Sequence, residues 1–458
     1  MDPQLIAAVS SSKLIKLIIK LFGGGGTAAP GLLAEYIDPK ILNKLAKYYK
    51  GAIFVTGTNG KTTTARLLGK ILEEAKIGFI HNRSGSNLLR GLIGTMIDNL
   101  TFDPFSQKTA LFEVDEATLP AASITTNPKV IIFNNLFRDQ LDRYGEVDKI
   151  RKIWQKTLLH LDSSTTLILN SDDHSVAHLG SISKTRVIYF GIEDKNLSLG
   201  KLPHASDFTS CLVCDGELQF DEIYLSHLGK YRCSTCGLVR PKPDVYANKI
   251  ILNEEKGFSA QIITPKGEIQ VNISLPGLYN VYNTLAAVSA GLSLGINLNT
   301  IKKALEASQA AFGRAEILDF ENKKIFIGLV KNPTGFNEVL RVLFNKSSKK
   351  FLMIAVNDLI ADGRDVSWFW DVDFEVLVGK THKIWLSGIR ASDMNLRLKY
   401  TGAIFKLETE ENIQNCFEKA IEGTQIGETL YILPTYTALL EIKKIMARKG
   451  ISSEFWED

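Results

Sequence analysis

Ala52-Ile53-Phe54-Val55-Thr56-Gly57-Thr58-Asn59-Gly60-Lys61-Thr62-Thr63 runs from an apolar, β-prone segment into a stretch with helical periodicity. Val55 stands where an ordinary phosphate-binding loop keeps its first glycine, so the loop is a shortened G-T-x-G-K-T form. A strand, a tight loop and a helix in that order make an anion site. Backbone N–H groups and the helix N-terminus attract negative charge, and glycines at 57 and 60 let the backbone approach closely. The pattern gives Gly57, Thr58, Asn59, Gly60, Lys61, Thr62 and Thr63 as nucleotide-binding candidates. In it Lys61 reaches the β- and γ-phosphates and Thr62 ligates magnesium.

Outward from this loop, apolar segments at 77–80, 110–114, 130–133, 166–169 and 186–190 alternate with helical patterns. Such alternation predicts a mainly parallel sheet covered on both faces. Further strands are expected at 249–252 and 259–264, and a helix rich in small residues at 285–295. A second α/β block follows residue 313, with strands at 325–329, 351–356, 383–386 and 429–433. The resulting division is an N-terminal helical segment 1–50, a central nucleotide-binding α/β domain 51–308 and a C-terminal Rossmann-like α/β domain 311–458.

With 458 residues the chain exceeds one core, and 54 basic against 50 acidic residues leave a net charge of only +4. Bulk charge therefore gives no reason to expect nucleic-acid binding. Residues 5–22 are apolar but interrupted by Lys13, Lys16 and Lys20, which excludes an uninterrupted membrane span and argues against a cleaved signal. A basic, partly amphipathic helix remains. It either packs on the protein or lies on an anionic membrane surface, the latter placing a cytoplasmic protein at the inner face of the cell membrane. Residues 23–26, four glycines, read as a flexible joint.

Cys211-x-x-Cys214 and Cys233-x-x-Cys236 are separated by eighteen residues, the spacing of a structural zinc ribbon inserted at about 205–243. A small insertion cannot bury its own core, and four thiolates on one ion supply the missing stability. Such a closed site leaves no position for catalysis. Lys230, Arg232, Arg240 and Lys242 nearby permit a nucleic-acid-binding ribbon coupled to an ATPase, but they lack interleaved aromatics, so no nucleic-acid partner is expected. Cys416, the fifth cysteine, has no histidine near it in sequence and reads as core.

Glu113, Asp115 and Glu116 follow a buried strand, where open parallel sheets bind ligands. Spacing does not choose among them as magnesium ligands. A second polar cluster, 134–145, also follows a strand. The phosphate loop, that cluster, Asn170-Ser171-Asp172-Asp173, Gly277-Leu278-Tyr279-Asn280-Val281-Tyr282-Asn283 and Phe312-Gly313-Arg314-Ala315-Glu316 together resemble, in order, the motifs of the Mur ligase family. That family joins amino groups to carboxylates through an ATP-derived acyl phosphate. The resemblance implies ATP and Mg²⁺ as cofactors, Thr62 and Glu113 as magnesium ligands, Asn283 on the adenine side and Arg314 reaching the phosphates from the next domain.

Two departures argue against an ordinary amino-acid-adding ligase. Asp139-Gln140-Leu141-Asp142 replaces the usual Asp-His-Leu-Asp, and Gly328-Leu329-Val330-Lys331-Asn332-Pro333 replaces Asp-Tyr-Ala-His-Asn-Pro. These departures, the cysteine insertion and the run 357–371 resemble one branch of the family, the MurT-type synthetase subunits. This branch works with GatD-type glutaminases to amidate the α-carboxyl of D-glutamate in the peptidoglycan precursor lipid II. In that branch the aspartate of Gly-Arg-Asp-x-Ser-Trp orients the partner's catalytic histidine, which would make Asp365 and Lys61 the catalytic candidates. Asp358, Asp362, Asp365, Asp371 and Asp373 also read as a solvated acidic loop. The alternative activity within the fold is a folylpolyglutamate-like or Mur-type ligase that attaches an amino acid.

Overall fold

The computed structural model describes residues 2–21, 28–82, 86–103, 107–138, 147–203, 206–253, 256–308, 314–345 and 348–451. The tetraglycine joint, residues 139–145 and residues 312–313 lie outside these stretches.

The central domain is built on a nine-stranded sheet. Its strands are β1 (Ala52–Thr56), β2 (Phe79–His81), β3 (Thr109–Glu113), β4 (Val130–Phe133), β5 (Thr166–Asn170) and β6 (Arg186–Ile192). After β7 (Leu218–Leu225) and β8 (Leu228–Cys233), which form a separate hairpin, come β9 (Val245–Leu252), β10 (Phe258–Thr264) and β11 (Gly267–Ile273). The order is β11-β10-β9-β6-β5-β4-β1-β3-β2. Strands from β2 to β9 pair in parallel, and β10 and β11 extend the edge antiparallel.

Both faces of this sheet are covered, and the period of two along each strand divides its side chains between two cores. In β1, Ile53 and Val55 join one core with Leu67, Leu68 and Ile71 of helix Lys61–Glu74 and with Leu285 and Val288 of helix Leu278–Ser293. Ala52 and Phe54 join the other, which contains Leu5 and Val9 of helix Pro3–Leu21, Leu92 and Met96 of helix Leu89–Asp98, and Trp154 of helix Val147–Leu158. The N-terminal helices are therefore part of the central core. The helix expected at 285–295 begins instead at Leu278, because Asn280 and Tyr282 are buried along with the small residues that follow.

The C-terminal block holds β12 (Arg314–Phe320), β13 (Lys323–Gly328), β14 (Lys350–Ala355), β15 (Thr381–Ser387), β16 (Leu407–Thr409) and β17 (Thr429–Pro434), in the order β12-β13-β17-β14-β15-β16. All pairs but β12–β13 are parallel. Here too the faces alternate: Ile325 and Ile327 pack in one cluster and Phe326 in the other. Cys416 is fully buried in the first, as the sequence suggested.

The β7–β8 hairpin is fixed to the central sheet by one buried network. The Asp172 carboxylate, with no exposed surface, accepts from Arg240 at 2.5 Å, Tyr282 Oη at 2.7 Å and the Ile192 amide at 2.9 Å. Arg240, which follows the hairpin, also donates to Glu193 at 2.7 Å, and its guanidinium is held in the charged form by these carboxylates despite burial. Removing one partner of a buried ion pair strands the other. Arg240→Met should therefore lower unfolding free energy by about 3–5 kcal/mol in urea titrations. An unchanged midpoint would mean that Asp172 is compensated by Tyr282 and the backbone alone.

Candidate functional site: a phosphate loop facing a second domain

The turn between β1 and helix Lys61–Glu74 depends on its two glycines. Gly57 has φ +127° and Gly60 φ +85°, conformations that L side chains rarely adopt. A Cβ at Gly60 would also fall 2.0 Å from Asn283 Oδ1. The end of β4 braces the loop from below. The Thr58 amide donates to the Asn135 carbonyl at 3.1 Å, the Asn59 amide to Asn135 Oδ1 at 2.8 Å, and Phe137 N to Thr58 Oγ1 at 2.9 Å.

The acidic triplet after β3 divides its labour. Glu113 Oε2 accepts from Thr62 Oγ1 at 2.8 Å, and Oε1 lies 3.4 Å from His81 Nε2. Glu116 Oε1 accepts from Lys61 Nζ at 2.7 Å, while Asp115 caps the next turn by accepting from the Ala117 amide at 3.1 Å. Glu113 shares a hydroxyl oxygen with the loop, a pairing that suits a hard cation with oxygen ligands. Lys61 Nζ also donates to the Gly57 carbonyl at 2.6 Å, so its ammonium lies along the loop.

The C-terminal domain closes the site. Lys331 Nζ donates to the Thr58 carbonyl at 3.3 Å and Asn332 Nδ2 to Asn59 Oδ1 at 3.0 Å, both from the segment after β13. Asn332 is simultaneously the N-cap of helix Pro333–Leu343, accepting from the Gly335 amide at 2.8 Å, so its position is set by the helix. Arg138 Nη2 to Asp371 Oδ2, at 2.5 Å, is a further bridge between the domains. Sequence reasoning noted residues 328–333 as a departure from the family pattern but did not foresee that Lys331 would touch the loop. The available signal was a lysine at a strand end, beside a residue able to cap a helix.

Between the domains lies a cleft that opens to solvent. Thr58, Gly60, Lys61, Thr63 and Lys331 line its polar end. Leu225 and Leu228 from the tip of the β7–β8 hairpin, with Tyr279, Phe326 and Val342, form its apolar walls. Asn283 lines it as well, beneath Gly60, where it donates to Asn280 Oδ1 at 3.0 Å and accepts from Thr64 at 3.3 Å. Glu338 is buried in the wall. Burial raises its pKa, against the pull of Arg341 at 3.0 Å. A polar anion end joined to an apolar slot has the chemistry that a nucleotide site requires.

The other anticipated residues stand elsewhere. The side chain of Arg314 lies outside the described residues, as does the Asp139–Gly145 motif. Asp365 does not line the cleft: it accepts from Ser367 N at 2.8 Å within its own turn. The acidic loop around it is not merely solvated. Asp358 pairs with Arg390 at 2.6 Å, Asp362 accepts from Thr437 at 2.5 Å, and Asp371 holds Arg138. Exposed Leu359, Ile360 and Trp370 flank Asp365 in sequence.

Cys211, Cys214, Cys233 and Cys236 converge, their Sγ atoms all within 4.8 Å of one another. The closest approaches, Cys214–Cys233 at 3.5 Å and Cys211–Cys236 at 3.6 Å, are near the sulfur spacing of about 3.8 Å that four 2.3 Å bonds to one tetrahedral ion impose. The amides of Cys236 and Thr235 lower the Cys233 pKa to about 6. Cys214 is pushed up to about 12, because burial and the neighbouring thiols outweigh the lowering effect of the Gly216 amide. The basic residues nearby are not a free patch: Lys230 pairs with Glu193 and Glu222, Arg232 with Asp221, and Arg240 with Asp172.

A shortened phosphate loop at the edge of a two-sheet cleft is the architecture of the Mur ligase fold, and solved structures agree. A pseudomurein peptide ligase type C from Methanothermus fervidus superposes with TM-score 0.71 at 20% identity, over 89% of this chain and 81% of that one. MurF from Acinetobacter baumannii gives 0.67 at 20% identity, over 91% and 80%. The family model for the Mur ligase middle domain matches residues 55–234, and the one for the MurT ligase C-terminal region matches residues 329–439. The lipid II isoglutaminyl synthase (glutamine-hydrolyzing) subunit MurT of Staphylococcus aureus (strain COL) is 33% identical over 452 residues, covering 94% of this chain and 95% of that protein. The Streptococcus pneumoniae R6 subunit of the same description is 32% identical over 437 residues, covering 93% and 94%. The chain belongs to the Mur ligase family and, within it, to the MurT group.

If Lys331 contributes charge to the phosphate end, Lys331→Met should raise the KM for ATP about tenfold or more while leaving the fold intact by circular dichroism. An unchanged KM and kcat would reduce its role to holding the domains together.

Proposed function

We propose that this chain is the ATP-dependent synthetase subunit of a lipid II isoglutaminyl synthase, converting the α-carboxyl of D-glutamate in the stem peptide to an amide. The observation that carries the reading is the two-sided cleft, in which a phosphate loop on one domain meets Lys331 and Asn332 of the other. The relatives' activity supplies the substrate class. The domain units that go with this reading are 1–50, 51–308 with the ribbon at about 205–243, and 311–458.

Ammonia does not displace hydroxide from a carboxylate, so the carboxyl must first take the γ-phosphoryl group of ATP. Thr58, Gly60 and the helix N-terminus hold the phosphates, and Lys61, released from Glu116, stabilises the charge that builds on the transferring group. Thr62 and Glu113 would hold Mg²⁺, which would supply positive charge to offset that of the phosphates. Asn283 borders the nucleoside side, and Arg314 supplies a second cation from the C-terminal domain. Ammonia then attacks the acyl carbon: the C–N bond forms, the C–O bond to phosphate breaks, inorganic phosphate leaves and the nitrogen gives up one proton.

The nitrogen must come from another polypeptide. Glutamine hydrolysis needs a reactive thiolate beside a base. Cys416 is buried, its thiol pushed up to about 11 by desolvation, with Sγ against the Leu386 carbonyl, and the other four cysteines form the ribbon cluster. We therefore assign a GatD-type glutaminase as partner, with Asp365 orienting its histidine across the interface. Neighbouring aspartates are committed to Arg390, Thr437 and Arg138, whereas Asp365 accepts from Ser367 N within its own turn and lies in sequence between exposed apolar residues suited to an interface. The four cysteines hold structural Zn²⁺, and the hairpin they anchor ends in the cleft wall at Leu225 and Leu228.

With the partner bound, Asp365→Asn should reduce glutamine-dependent amidation by about 10³–10⁴-fold while amidation from added ammonium persists. Equal loss of both would remove Asp365 from the glutaminase. Mass spectrometry of the stem peptide reads the product directly, and an unchanged mass from an ATP-hydrolysing complex would refute the substrate. Purified protein should carry about one zinc per chain. Cys233→Ser should lose it, lower the melting temperature and weaken nucleotide binding in a fluorescence titration. Full ATP affinity in the metal-free variant would show that the ribbon does not shape the cleft.

A further inference from the structure

Helix Pro3–Leu21 is buried on one side only, through Leu5, Ala8, Val9 and Ser12. At about 100° per residue, Ile6, Leu14, Leu17, Ile18 and Leu21 fall within an arc of about 120° on the opposite side. All five are exposed, Leu14 at 60% and Leu21 at 76%. An outward helix face in water is expected to be polar, and this one is aliphatic. The adjacent helix Ala28–Ile37 also exposes apolar side chains, Leu32 and Tyr36, one turn apart and 46% and 84% exposed.

The charges indicate what covers this face. Between Pro3 and Leu21 there are three lysines and no acidic residue. Lys13, exposed, borders the aliphatic arc next to Leu17, and Lys16 reaches Asp98 on the protein side. Among the described residues no helix is long and apolar enough to cross a bilayer. An aliphatic arc edged by Lys13 on a helix of about 28 Å suits a helix lying in the membrane plane, with aliphatic side chains in the acyl boundary and the Lys13 ammonium at anionic headgroups.

We propose that the outer face of helix Pro3–Leu21, extended by Leu32 and Tyr36, binds the surface of an anionic lipid membrane. The assignment rests on the reading of the substrate as lipid-linked and extends it, because it brings the chain to the surface where such a substrate resides. A second copy of the chain is the competing occupant. It is disfavoured because two-fold pairing of this face would bring like-charged lysine borders together without an acidic residue of the same helix to offset them.

Flotation of the full chain, alone and in its complex, on vesicles of equal parts phosphatidylglycerol and phosphatidylcholine tests this without substrate. Binding is expected, weaker on pure phosphatidylcholine and weaker as salt rises. The exposed triple variant Leu14→Gln, Leu17→Gln, Leu21→Gln should lower the partition coefficient at least about tenfold with an unchanged melting temperature. Wild type that does not float on anionic vesicles, or a variant that floats equally well, overturns the proposal. So does a wild-type dimer in light scattering that the variant converts to monomer without any flotation. Failure of amidation with flotation intact would count against the function and not against this surface.

Discussion

The constraint on which this molecule turns is the meeting of Gly60 with Asn283. A left-handed glycine with another residue's amide 2.0 Å from where its Cβ would stand cannot be replaced without moving either the loop or helix Leu278–Ser293. That close approach fixes where helix Lys61–Glu74 begins, and with it the direction in which the loop amides point. Asn134 and Asn135 supply the floor from β4, so two strand ends and two helices determine one anion site. Rigid elements, rather than the loop's own preferences, hold the geometry.

From this site the two domains are coupled by few but well-placed bonds. Lys331, Asn332 and Arg138 are each anchored on one domain and reach the other. Domain interfaces of this kind are polar enough to open, so a cleft built across them can admit a nucleotide and then enclose it. The hairpin tip at Leu225 and Leu228 contributes a third wall. Its position depends on the Asp172 network and on the cysteine cluster at its far end, which ties that cluster to the shape of the cleft.

How much of this the sequence disclosed follows the range of the interactions. The strand–loop–helix and the cysteine spacing are local, and their residues stand where they were expected. The alternation of apolar segments predicted a mainly parallel sheet, and its parallel strands lie close to the expected segments; the antiparallel strand β11 and the β7–β8 hairpin had no comparable apolar run. What escaped was tertiary. Glu113, Asp115 and Glu116 are indistinguishable by composition, and only the path of β3 beside β1 gives Glu113 to Thr62 and Glu116 to Lys61. Lys331 lies more than 270 residues from the loop it touches, and no periodicity reports such a contact. Asn283 belonged to a motif, yet its seat beneath Gly60 is visible only in three dimensions.

The same physics explains why this fold serves amidation without making its own ammonia. A glutaminase nucleophile needs an exposed thiolate and a base beside it, whereas Cys416 is packed among Ile413, Phe417 and Trp385, where burial favours the neutral thiol. Moving it to the surface would open a cavity in the C-terminal core, and recruiting a ribbon cysteine would dismantle the cluster that positions the hairpin. Each cysteine is committed to structure, so the chemistry that remains to this chain is activation of the carboxyl group. Division into two polypeptides follows from that commitment: the chain keeps the phosphate site, and the nitrogen donor has to be delivered to it.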